Sequence, residues 1–152
     1  MALCSEDLYM GHMEVAEDAR IDCSDERLEL AKEMYVACDD TRADDYADYF
    51  ADDARFIWQN FEPVEGREGI ASFVGDFFGD IKTLDHTFTG VYEAEVEADE
   101  AVATVVLEAV VTYTLPDGAQ VDVPATTVLD LNGSDAVVEA RVYVDTSPVY
   151  EA

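Results

Sequence analysis

From residue 83 onward the chain is left with few folds to choose from. Residues 87–96, 101–115, 119–131 and 136–145 are long runs rich in Val, Thr and Ala. Between them stand only Glu97-Ala98-Asp99-Glu100, Pro116-Asp117-Gly118 and Asn132-Gly133-Ser134-Asp135. A crossover between parallel strands needs a dozen residues or more, whereas Asp-Gly and Asn-Gly are turn residues of tight hairpins. The second half therefore reads as an antiparallel meander of four long strands. Residues 101–115 are apolar on both parities, with Ala103, Val105, Leu107, Ala109 and Val111 on one side and Val102, Val106 and Val110 on the other. An antiparallel sheet with one face in water would alternate instead. One face must cover the helices, and the other needs a partner. Val138, Ala140, Val142 and Val144 repeat the pattern on the last strand. The expectation is a homodimer packed through the sheet, with burial under the N-terminal arm as the alternative.

The first half is helical in period. Ser24 can cap a helix that carries Asp25 and Glu26 in its first turn, where the dipole favours acids, and that runs to about Asp39. Thr41 is placed to cap a short second helix, on which Tyr46, Tyr49 and Phe50 share a face. Residues 55–58 (RFIW) are β-prone, and Pro63 and Gly66 break the chain before a third helix begins at Arg67. Ile70, Phe73, Val74, Phe77 and Phe78 form its apolar stripe. Residues 1–23 are acidic with weak periodicity and read as an extension, either a short helix or a flexible arm. Residues 24–152 read as one domain.

Charge narrows the class further. There are 36 acids against 8 bases, a formal net charge of −28. The acids are spread over helices and turns, and only Lys32 and Lys82 are lysines. A chain so acidic has no basic patch to neutralise phosphates, so nucleic acid is not an expected partner. At molar salt the screening length is roughly 3 Å and neighbouring acids hardly repel; in dilute buffer they strain the fold. The composition favours a halophilic cytoplasm over a surface for a basic partner. No apolar run approaches the length of a membrane span, and the acidic N-terminus is unlike a secretory leader, so a cytoplasmic protein is expected. Cys4, Cys23 and Cys38 are odd in number and suit reduced thiols. Cys4, His12 and Cys23 match no zinc spacing, so no metal site is expected.

Three pieces of sequence carry a family resemblance: residues 49–54 (YFADDA), 66–70 (GREGI) and 141–145 (RVYVD). With the order of helices and strands, they make the span from about Asp25 to Tyr150 resemble the nuclear-transport-factor-2-like superfamily, in its SnoaL-like branch. The resemblance implies an α+β cone: three N-terminal helices packed on a strongly curved, mainly antiparallel sheet of about five strands. It also implies a pocket for a small, mostly apolar organic molecule and chemistry without cofactor or metal. Members similar in shape include isomerases, cyclases, hydrolases, dehydratases and proteins with no chemistry.

Set against ketosteroid isomerases, the general-base position falls on Trp58. The oxyanion tyrosine position falls on Met34, with Tyr35 one residue off, and the late aspartate falls near Thr127, so that mechanism is not expected. Trp58-Gln59-Asn60 resembles the water-holding segment of limonene-epoxide hydrolases and Asp145 matches one of their acids, but the companion Arg-x-Asp is missing near Ala109 and Val111. The SnoaL-like cyclase pattern remains, with a pocket aspartate as acid/base. Asp145 is its candidate, because Arg141, Tyr143 and Asp145 project to one side of a strand and desolvation there would raise the carboxyl pKa. The other role open to Asp145 is capping the strand end or pairing with Arg55 or Arg67. His86 is the assisting acid–base candidate, or a hydrogen-bonding residue at the pocket mouth. Trp58, Asn60, Tyr35, Met34, Tyr143 and Arg141 are the expected pocket residues. The reading is thus an isomerase-, cyclase- or hydrolase-type catalyst, with a non-catalytic ligand-binding or dimeric scaffold protein as the alternative.

Overall fold

The computed structural model describes residues 13–98 and 100–151; Cys4 and His12 lie outside the described residues. Strand β1 (Glu14–Asp22) leads into helix α1 (Asp25–Asp39) and the short helix α2 (Ala43–Ala47). Strands β2 (Phe50–Trp58) and β3 (Val64–Glu65) precede helix α3 (Arg67–Phe78). The meander follows as β4 (Thr83–Ala98), β5 (Ala101–Thr114), β6 (Gln120–Leu131) and β7 (Val137–Val144), and helix α4 (Ser147–Glu151) closes the chain. The strands form one curved sheet in the order β1-β4-β5-β6-β7-β2-β3. β4 to β7 pair antiparallel, as their tight turns require. β1 joins β4 and β2 joins β7 in parallel. No helix among the described residues is long and apolar enough to cross a membrane.

The described residues therefore hold four helices and seven strands, where three helices and about five strands were expected. The expected helix or arm before residue 24 is in fact a strand over Glu14–Asp22. Val15, Ala19 and Ile21 share one side with Glu17, and Val15 packs against the core, but the alternation is weak, and backbone pairing to β4 over Glu14↔Thr87 to Asp22↔Tyr92 holds the strand at the sheet edge. Ser24 caps α1 as expected, its side chain accepting from the Arg27 N–H at 3.3 Å. Thr41 does not cap α2; it takes a positive φ of 54°, and Arg42 occupies the cap position without a side-chain bond. Phe50, expected on the short helix, opens β2 instead.

The helices lie on one face of the sheet. On β5 the odd positions from Ala101 to Tyr113 are buried, whereas Val102 and Val110 are 44% and 37% exposed on the opposite face. On β4, Leu84, His86 and Phe88 point inward. The register then slips, with Phe88 opposite Ala109 and Gly90 opposite Glu108. That bulge at Thr89 resets the alternation so that Val91 is buried too. A second irregularity at the start of β7 leaves Val137, Ala140 and Val142 facing the core.

Candidate functional site

Helix α1 sets the closed end of the site. Ala31, Tyr35, Cys38 and Asp39 fall at helical spacing and are all buried. Asp39 is the last residue of the helix, where a carboxylate opposes the dipole, and its side chain is fully buried. Its partner is His86 of β4. Asp39 Oδ2 accepts the His86 backbone N–H at 2.6 Å, and Asp39 Oδ1 lies 2.5 Å from His86 Nδ1. One carboxylate thus fixes both the main chain and the ring, and as an acceptor it places the Nδ1 proton on the shared edge. The Tyr35 ring packs edge-on against the imidazole at 4.8 Å. Nε2 makes no hydrogen bond to the described residues, and the ring faces a cavity.

That cavity measures about 50 Å³. At roughly 10–15 Å³ per water this is room for about four waters or a very small organic molecule, well under the roughly 300–1,000 Å³ of pockets for drug-sized ligands. Its deep wall carries Tyr35, Tyr46, Cys38, Thr127 and His86. Its outer part is lined by Trp58, Phe73, Phe77 and Phe78, all only half-buried. Among the described residues no Asp, Glu, Lys or Arg lines it, although such residues make up 29% of the chain. The aromatics hold one another in place: Trp58 sits 5.1 Å from Phe77 and 6.2 Å from Phe73, ring centre to ring centre. Burial pushes the Tyr35 phenol up, against hydrogen bonds with Thr127 and Tyr46 that pull it down. Both tyrosines therefore stay protonated and able to donate. Burial also raises the Cys38 thiol, and the nearby Asp39 raises it further.

Cys38, Asp39 and His86 bring donor atoms within 4.8 Å of one another, the one such cluster among the described residues. The Asp39–His86 separation of 2.5 Å is a hydrogen-bond spacing. Two ligands on a tetrahedral zinc at about 2.0–2.1 Å stand roughly 3.3 Å apart. As folded, the trio is a hydrogen-bonded pair beside a neutral thiol, not a preformed metal centre.

The expected residues divide sharply. His86, Trp58 and Tyr35 line the cavity. Met34 is wholly buried beside it without lining it, and Asn60 is exposed beyond the end of β2. Arg141, Tyr143 and Asp145 do share one side of β7, but it is the outer side. Tyr143 is 54% exposed, and Arg141 pairs with Asp130 at 2.8 Å and with Glu139. Asp145 is exposed and accepts the Ser147 N–H at 3.0 Å, so it caps the end of the strand. That bond holds its carboxyl below the ordinary value, the opposite of what an acid/base at neutral pH needs. The concave side of β7 carries Ala140, Val142 and Val144. Asp39, which orients the one imidazole on the cavity, was not singled out from the sequence. The signal available was an acid closing the buried stripe of α1, one among 36 acids.

Solved structures share this architecture. A protein with a ketosteroid isomerase-like fold from Catenulispora acidiphila, bound to trimethylamine, superposes with a TM-score of 0.66 at 22% identity over 80% of this chain and 88% of its own. A protein from Jannaschia sp. CCS1, described as a SnoaL-like polyketide cyclase, gives 0.62 at 24% identity over 86% and 95%. A further Catenulispora acidiphila structure, in complex with S-DNPA, gives 0.58 at 22% identity over 82% and 93%. At such identities the likeness speaks for the fold alone. No functionally curated protein matches the chain. The SnoaL-like domain matches residues 31–140, from the middle of α1 to the inward-facing Ala140 of β7, and the chain belongs to that family.

Proposed function

We propose that the protein is a cofactor-free acid–base catalyst on a small, mostly apolar molecule, with His86 as the proton-transferring group and Asp39 as the residue that positions it. One observation carries this reading: the imidazole, held at Nδ1 by a buried carboxylate 2.5 Å away, is among the described residues the only ionisable nitrogen on a cavity that none of their charged side chains lines. In such surroundings a neutral Nε2 can take a proton from a carbon or oxygen acid, and Asp39 stabilises the imidazolium that results. The hydroxyls of Tyr35 and Thr127 stand on the same wall to receive developing negative charge. Trp58 and the aromatic outer wall exclude water, and Asp145 serves the fold rather than the chemistry.

The test is deuterium exchange at the α-carbon of small cyclic ketones in D2O, followed by proton NMR. Exchange above buffer background that disappears in His86→Gln supports the reading. Equal exchange by the wild type and His86→Gln would sink it. The second reading is non-catalytic binding, and the small cavity favours it: about 50 Å³ suits an occupant of the size of the trimethylamine held by the Catenulispora relative.

The remaining assignments belong to the same proposal. The domain is residues 24–152, with 1–23 an acidic extension whose strand extends the sheet edge. Val102, Val110 and Tyr143, exposed on the outer sheet face, support a homodimer through the sheet. The net charge of −28 supports a halophilic cytoplasm.

A further inference from the structure

Helix α1 brings a second chemical group to the cavity. Cys38 stands one turn beyond Tyr35, so the two side chains share a helix face, and both line the cavity. Cys38 is a free thiol, 7% exposed. Its Sγ, a nitrogen of the His86 ring and an Asp39 carboxylate oxygen all lie within 4.8 Å of one another. Asp39 occupies Nδ1, which leaves Nε2 as the basic edge of a ring that is 8% exposed and lines the cavity. A nucleophile, a base and the acid that orients the base thus stand together on one wall, the arrangement that activates a weak nucleophile.

The thiol is the member that needs the base. Burial and the Asp39 carboxylate keep Cys38 protonated, and only the thiolate is nucleophilic. Cys38 is therefore inert at rest and reacts only where His86 takes its proton as the new bond forms. The cavity narrows the choice of electrophile. None of the charged side chains of the described residues lines it, so the electrophile is uncharged. At about 50 Å³ it holds only a handful of heavy atoms and leaves no room for a departing group. An addition that expels nothing, and that places its charge on an oxygen, meets both limits.

We propose that Cys38 is a second catalytic residue, a nucleophile that adds reversibly to a small α,β-unsaturated ketone or aldehyde with His86 as its base. Sulfur forms a bond to the β-carbon while the thiol proton passes to Nε2. The carbon–carbon π pair moves through to the carbonyl oxygen, where the Tyr35 and Thr127 hydroxyls of the same wall receive the charge. The imidazolium then returns its proton to the α-carbon and leaves a saturated thioether. In reverse, the first event is removal of that α-proton by Nε2, so the proposal rests on the acid–base reading of His86.

Methyl vinyl ketone is the probe, used on the full chain in a background with Cys4→Ser and Cys23→Ser. Intact-mass spectrometry with peptide mapping follows the adduct at Cys38 without denaturant at neutral pH. Cys38 should react about a hundredfold faster with His86 present than in His86→Gln, the lower end of what a positioned base contributes. Asp39→Asn, which puts the ring proton on Nε2, should slow the reaction likewise, and Cys38→Ser should give no adduct at that position. Raising the pH should close the gap between wild type and His86→Gln, because hydroxide then supplies the thiolate without the imidazole. A gap that stays open at alkaline pH would mean that His86→Gln blocks access rather than removes a base, and would overturn the assignment. So would the absence of an adduct at Cys38, or equal rates with and without His86. The acid–base reading is decided separately, by α-proton exchange on saturated ketones, which cannot form the adduct.

Discussion

Replacing Asp39 separates its two roles. In Asp39→Ala the His86 backbone N–H and the Nδ1–H both lose the acceptor they have at 2.6 and 2.5 Å. The site is buried, with the Asp39 side chain at 0% exposure and that of His86 at 10%, so water does not replace the loss in full. Each orphaned donor costs about 1–3 kcal/mol. Removing a carboxylate from a helix C-terminus returns roughly 0.3–1 kcal/mol. The net is a destabilisation of about 1–6 kcal/mol, centred near 3, and the central value lowers the Tm by roughly 6–12 °C for a chain of this length. Asp39→Asn keeps one oxygen for the backbone N–H but turns an amide donor toward Nδ1. The ring must then carry its proton on Nε2, at a cost of about 1–2 kcal/mol. Urea titration measures the two stabilities, and 15N NMR of the imidazole reads the tautomer. Wild type should show Nδ1 protonated and Asp39→Asn should show Nε2 protonated, with α-proton exchange lost along with the free Nε2 lone pair. An Asp39→Ala variant destabilised by under about 1 kcal/mol, less than the smallest net cost of two orphaned donors, would refute the reasoning. A wild-type ring without a proton on Nδ1 would refute it as well.

Two further outcomes follow from the charges. Glu93 accepts the Ser24 N–H at 2.8 Å and pairs with Arg27 at 2.5 Å, which lowers its carboxyl from 4.5 to about 2. A depressed carboxyl stabilises the fold fully above its unfolded value and loses that contribution as pH falls from about 4.5 to about 2. At about 1.4 kcal/mol per pH unit the ceiling is roughly 3 kcal/mol, reduced to about 1–2 by solvent screening at this partly exposed rim. Wild type should therefore exceed Glu93→Gln in stability at pH 6 and converge with it near pH 2; parallel curves would contradict the assignment. The Tm should climb with KCl from dilute to molar concentration, as screening relieves a net charge of −28, and a flat or falling Tm counts against a halophilic setting. Light scattering in the same high-salt buffer should give twice the chain mass, while a Tyr143→Asp variant, placing an acid on the exposed outer face, should scatter as a monomer.

The amino-acid sequence by itself determined the local elements. Turn residues at Pro116-Asp117-Gly118 and Asn132-Gly133 leave no length for a crossover, and the resulting strands are antiparallel. The spacing of Ile70, Phe73, Val74, Phe77 and Phe78 predicts α3, which runs from Arg67 to Phe78. Such features depend on contacts within a few residues, and periodicity reports those. Tertiary structure decided the rest. Strand β1 exists because β4 offers its edge, a backbone pairing that the weak alternation of Val15, Ala19 and Ile21 does not by itself announce. Alternation along β7 puts Arg141, Tyr143 and Asp145 on one side, but which side is concave depends on how the whole sheet curls over the helices. That curl turned the expected acid outward and left Val142 and Val144 on the cavity. Asp39 and His86 stand 47 residues apart in the chain. Nothing local distinguishes Asp39 from the acids around it until α1 packs on β4. Only then does burial make one carboxylate costly enough to need a partner, and the partner is the single histidine on the cavity wall.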